Sequence, residues 1–86
     1  MQQFIHTIRD PLGIHARPAG LLARAAKDFA DTAITIEKDG SAVRATQLMK
    51  LMGMGVRQGD RITVTAEGAS EREAIAAMRA FFSENL

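Results

Sequence analysis

The hydrophobic period of this chain switches repeatedly between two and about 3.6 residues, and that alternation limits the possible folds more than any other feature. Residues 3–9 alternate, with Phe4, His6 and Ile8 on one face and Ile5 and Thr7 on the other. From Ala16 to Ala30 the period is helical. Ala19, Leu22, Ala25, Ala26 and Phe29 form one stripe, and Arg24, Lys27 and Asp28 lie roughly opposite. AITIE, at 33–37, is β-branched and alternating, and KDG turns it into a short strand at 41–44. A short apolar helix is predicted at 47–53, with Thr46 as its N-cap. RITVTAE alternates again and points Ile62, Val64 and Ala66 inward. Ser70 and Glu73 then spell a capping box before a last helix with Ala74, Ile75, Met78, Phe81 and Phe82 on its inner face. The order β-α-β-β-α-β-α predicts an α+β fold, a sheet with helices packed on one face and its middle strands antiparallel.

No repeat, linker or low-complexity segment interrupts the 86 residues, so residues 1–86 are expected to form a single domain. There is no cysteine, which excludes disulfides and thiolate metal sites and leaves stability to packing. Eleven basic and ten acidic residues give a net charge of +1, too little for strong nonspecific attraction to nucleic acid or to an acidic membrane. No apolar run approaches the roughly 20 residues that span a bilayer. MQQFIHTIRD lacks a secretory h-region. A soluble, intracellular protein without cofactor is expected. A metal site joining His6 and His15 is not, because no carboxylate or thiol has suitable spacing. His6, on the Phe4–Ile8 face, is expected to be a partly buried, hydrogen-bonded residue.

The candidate site is GIHARPAG, Gly13 to Gly20. It places an imidazole and a fixed cation at the start of a helix, where the positive end of the dipole repels cations. An anion resolves the conflict. The first N–H groups of a helix lack internal partners and bind phosphate or carboxylate. Pro18 fits the first turn, since its φ is helical and its missing N–H is not needed there. Gly13 permits a sharp entry from the strand. Neutral imidazole is nucleophilic near pH 7, so His15 could carry a phosphoryl group held by the helix amides and by Arg17.

GIHARPAGLLARAA, a hairpin, and then LMKLMGMGVRQGDRITVTAEG resemble the HPr family, the histidine-containing phosphocarriers of the bacterial sugar phosphotransferase system. The resemblance spans essentially the whole chain. It implies an open-faced β-sandwich, four antiparallel strands covered on one side by three helices. It also implies that His15 accepts a phosphoryl group at Nδ1 from Enzyme I and donates it to the IIA domains of sugar permeases, with the protein a cytoplasmic monomer and a carrier rather than a stand-alone catalyst. Arg17 matches the family's phosphate-contacting arginine. Gly13, Ala16 and Pro18 match the surrounding loop, where the N–H groups of residues 16 and 17 help to hold phosphate. Many members carry a regulatory serine at the start of the second helix, phosphorylated by a dedicated kinase. Counting back from Met54-Gly55 puts Gln47 there, and glutamine has no hydroxyl to modify.

Leu48, Met49, Leu51, Met52 and Met54 are more apolar side chains than one face of a two-turn helix buries. Leu51 is expected in the core. Leu48, Met49 and Met52 are expected at a partner surface, because methionine adapts to several partners. Arg17, Arg24, Lys27 and Lys50 would rim it and face acidic partners. Two other readings compete with the carrier. The RNA recognition motif shares the order βαββαβ but stacks bases on exposed central-strand aromatics, and none of the four phenylalanines falls in a central strand. A regulator that binds without transfer would not need the His15 nucleophile. A non-sugar branch of the phosphotransferase system stays open.

Overall fold

The alternating segments do form strands and the 3.6-period segments do form helices. The computed structural model describes all of residues 1–86. It contains β1 (Gln2–Thr7), α1 (Ala16–Lys27), β2 (Thr32–Lys38), β3 (Ser41–Arg44), α2 (Leu48–Gly53), β4 (Arg61–Gly68) and α3 (Glu71–Asn85). The strands make one sheet of order β1-β4-β2-β3. Every pairing is antiparallel. β4 is central, and its register sets the core: Val64 lies opposite Phe4 on one side and Ile36 on the other. Ala66 stands opposite Ile34 in the next inward row. All five of these side chains are buried, with Ile62 and the α-helical Leu22, Ala26, Met78 and Phe82 in the same cluster. α3 packs on β1, β4 and β2, while α1 packs on α2 and α3. The opposite face of the sheet is left to half-exposed threonines (Thr35, Thr63, Thr65) and to the exposed Ile5. This is the open-faced sandwich with three helices on one side.

The hairpin between β2 and β3 uses a two-residue loop, with Lys38 paired to Ser41. Both loop residues, Asp39 (φ 51°) and Gly40 (φ 84°), are left-handed, the conformation that matches the twist of the strands.

Several local expectations need correction. α1 stops at Lys27 rather than Ala30. The N–H groups of Asp28 and Phe29 bond to the Ala25 and Ala26 carbonyls, a tightened last turn that frees the chain to enter β2. Thr46 does not cap α2; the N-cap is Gln47, whose carbonyl accepts the Leu51 N–H at 3.0 Å. The chain leaves β3 through a turn closed by the Gln47 N–H and the Arg44 carbonyl, and burial of Ala45 delays the helix by one residue. Ser70 is the N-cap of α3, yet its side chain makes no cap bond. Its Oγ donates to Asp31 Oδ2 at 3.0 Å, and its N–H donates to Thr32 Oγ1 at 2.9 Å. The capping box is thus replaced by a tie between the starts of α3 and β2. His6 is partly buried, with its ring 5.4 Å from that of Phe82, but its buried Nε2 has no hydrogen-bond partner.

Candidate functional site

The segment between β1 and α1 is pinned from both ends. Ile8 exchanges backbone hydrogen bonds with Gly59 (2.8 Å) and Asp60 (2.9 Å), and Ile14 donates to the Val56 carbonyl at 3.2 Å. In between, Asp10 Oδ1 accepts the Leu12 N–H at 2.8 Å, an Asx-type turn, and its carbonyl accepts the Gly13 N–H at 3.0 Å. Gly13 has φ +67°, and a Cβ there would lie 2.1 Å from the Val56 carbonyl oxygen. Only glycine allows the loop to press against the segment that follows α2. That segment is itself held by Lys38, whose Nζ reaches the Gly55 carbonyl (3.1 Å) and Asp60 (2.9 Å). The Lys38 hydrogen bond, and then the Arg57 N–H at 2.8 Å, keep the Asp60 carboxyl below its usual range.

This frame delivers His15 to the N-cap of α1 with extended backbone (φ −117°, ψ −173°). Its carbonyl accepts the Ala19 N–H at 2.9 Å, so the main chain starts the helix while the imidazole makes no cap bond. The side chain is 36% exposed. The N–H groups of Ala16 and Arg17 have no backbone acceptor, Pro18 has none to satisfy, and the first turn contains no acidic residue. A cleft of about 200 Å³ opens here, lined by His15, Arg17 and Pro18, and also by Asp10, Leu21, Glu84 and Asn85. Asp10 Oδ2 stands 3.9 Å from His15 Nε2. The larger groove of about 520 Å³ between the β2–β3 hairpin and α2 holds Lys50 but none of these residues.

Along α2, Leu51 is fully buried, and Met49 is 76% exposed. Leu48 and Met52 are also exposed, less so. Lys50, Arg24 and Lys27 are exposed as expected. Two more exposed leucines were not anticipated, Leu12 in the loop and Leu21 on α1. Leu21 falls off the Ala19–Leu22–Ala26 stripe, which is the signal that could have found it. Asp10 precedes Pro11, a turn dipeptide, but Glu84 and Asn85 reach the cleft from the far end of the chain and leave no local trace.

Known proteins share this sequence pattern and this fold. The family model described as the PTS HPr component phosphorylation site matches residues 2–84. The chain belongs to the HPr family. HPr proteins are phosphocarriers of the phosphotransferase system, and that is what this chain is. It is similar to the phosphocarrier protein HPr of Mycoplasma genitalium, 40% identical over 99% of this chain and 97% of that protein. The crystal structure of HPr-C-His from Thermoanaerobacter tengcongensis superposes with a TM-score of 0.89 at 37% identity, covering 96% of this chain and 92% of that one. HPr from Bacillus anthracis gives 0.85 at 36%, covering 94% and 95%. No helix is long and apolar enough to cross a membrane.

Proposed function

We propose that His15 accepts a phosphoryl group at Nδ1 from Enzyme I and passes it to the IIA domains of sugar permeases, with residues 1–86 acting as one domain. The observation that carries this is a half-exposed imidazole at the N-cap of α1, beside the unpaired N–H groups of Ala16 and Arg17 and in one cleft with the Arg17 guanidinium. The amides and the guanidinium meet the phosphoryl oxygens as negative charge gathers on them. Gly13 and Pro18 shape the loop and the first turn, so the amides need no rearrangement when the group arrives. The group leaves only for a second protein, which makes the chain a carrier and not a stand-alone catalyst.

Leu48, Met49 and Met52 form the adaptable docking surface, with Arg24, Lys27 and Lys50 steering acidic partners. The core closes within one chain, as a monomer requires. Gln47 at the start of α2 offers no hydroxyl, so control through a serine at that position is absent. The test is relay. Given phosphoenolpyruvate, Enzyme I and a IIA domain, the IIA domain becomes phosphorylated only when this chain is added. Labelling of the chain without onward transfer would leave a regulator in its place.

A further inference from the structure

Asp10 has no part in the transfer described so far, yet its two carboxylate oxygens are used in different ways. Oδ1 accepts the Leu12 N–H at 2.8 Å, which fixes the side chain. Oδ2 is thereby held 3.9 Å from His15 Nε2. That distance is too long for a direct hydrogen bond, so the contact is electrostatic or runs through one water. The side chains of His15 and Asp10 are only 36% and 26% exposed, and solvent screens them incompletely. Arg17 on α1 and Glu84 near the end of α3 line the same cleft, but only Asp10 makes an ion-pair contact with the ring.

The geometry points to Asp10 as a positioning residue for phosphoryl transfer: its carboxylate holds the proton of neutral His15 on Nε2 and leaves the Nδ1 lone pair open to phosphorus. This role rests on His15 being the phosphoryl acceptor. A neutral imidazole carries one N–H, and which nitrogen bears it is set by what the ring faces. A negative charge beside Nε2 favours the proton there.

The same charge serves the bond-forming step. The Nδ1 lone pair forms the new N–P bond, the bond from phosphorus to the Enzyme I side chain that carries it breaks, and its electron pair stays with that side chain. The proton remains on Nε2, so the His15 ring becomes positive as the bond forms. Asp10 lies beside the nitrogen that bears that proton. A carboxylate behind the histidine of a serine-protease triad acts alike, fixing the tautomer and stabilising imidazolium without taking the proton. On the way out, a nucleophilic side chain of the IIA domain forms the new bond to phosphorus while the Nδ1–P bond breaks and its pair returns to Nδ1.

Asp10→Asn tests this, because asparagine keeps an acceptor for the Leu12 N–H but loses the charge. Asp10→Ala loses both. Long-range proton–nitrogen NMR of the unphosphorylated protein reads the tautomer directly at about pH 8.5, well above the ordinary imidazole pKa of about 6.5. In Asp10→Asn the ratio of Nε2–H to Nδ1–H should fall by about two- to fivefold, the upper figure being what two full charges at this range in water would give and the neutral ring's dipole bringing the effect below it. Transfer from Enzyme I should slow by at least that factor. The Leu12 amide signal should stay in place in Asp10→Asn and move in Asp10→Ala. A wild-type tautomer ratio in Asp10→Asn would overturn the proposal whatever the transfer rate, and so would a changed ratio with unchanged transfer. Absence of label on His15 in the wild-type chain would instead refute the acceptor reading, and this role with it, whatever the spectra show.

Discussion

Replacing Gly13 by alanine should destabilise the protein far more than the gain of one methyl group suggests. The added Cβ would lie 2.1 Å from the Val56 carbonyl oxygen and 2.8 Å from the Arg57 Cα, both backbone atoms that cannot swing aside. Holding φ at +67° costs an L-residue about 1–2 kcal/mol. Displacing the Val56 carbonyl breaks its 3.2 Å bond from the Ile14 N–H. That loss is worth about 1 kcal/mol, and crowding of a packed segment adds roughly 1–3 kcal/mol. The sum is about 3–6 kcal/mol, and each kcal/mol lowers the melting temperature of a domain this size by about 4–8 °C, so a fall of at least about 12 °C is expected. Circular dichroism melts and urea titrations measure it. Gly20→Ala is the control, since its Cβ would meet nothing within 4 Å and the site is inside α1. There alanine should stabilise by about 0.5–1 kcal/mol. A Gly13→Ala protein within about 1 kcal/mol of wild type, or no less stable than Gly20→Ala, would refute the view that this glycine seats the His15 loop.

Arg17→Ala should slow phosphoryl transfer from Enzyme I by about 2.7–4 kcal/mol in kcat with little change in KM, because the guanidinium meets charge that develops in the transition state. Unchanged kcat in stopped-flow transfer would reduce Arg17 to the basic rim. Met49→Glu should raise KM for Enzyme I and for the IIA domains about tenfold or more, with melting unaltered because the side chain is 76% exposed. Equal KM values would remove α2 from the docking surface. Asp60→Asn tests a charge instead. The carboxyl is held below its ordinary range by the hydrogen bond from Lys38 and then by the Arg57 N–H, so it stabilises the fold above that range and the contribution fades as pH falls through the folded value. Urea titrations should therefore show wild type and Asp60→Asn differing near neutrality and converging below about pH 4. A constant gap across that range would contradict the sign.

The elements legible in the sequence are those whose pattern is local. Ile62, Val64 and Ala66 alternate because β4 has one buried face, and the Ala19–Leu22–Ala26 stripe repeats because α1 does. The start of α1 was legible too, since Gly13, His15 and Pro18 each carry a backbone requirement that survives in the fold. What escaped was tertiary. Ser70 and Glu73 have the spacing of a capping box, but Asp31 and Thr32, far off in sequence, take the serine hydroxyl and N–H. Thr46 has the chemistry of a cap, yet burial of Ala45 shifts the N-cap to Gln47. His15 and Arg17 could be picked out from one octapeptide. The carboxylate of Glu84 beside them could not, because the fold and not the spacing brings α3 to the loop, and Asp10 left only its turn dipeptide with Pro11 as a trace.

The most direct test of the central claim is to find where the phosphoryl group goes. Incubated with Enzyme I and phosphoenolpyruvate, the chain should take up one acid-labile, alkali-stable phosphate, and phosphorus NMR with peptide mass spectrometry should place it on Nδ1 of His15. His15→Ala should take up none while melting close to wild type, because the imidazole makes no cap bond and its removal costs only tenths of a kcal/mol. Phosphate found on His6 or Thr46, or full labelling of His15→Ala, would contradict the assignment.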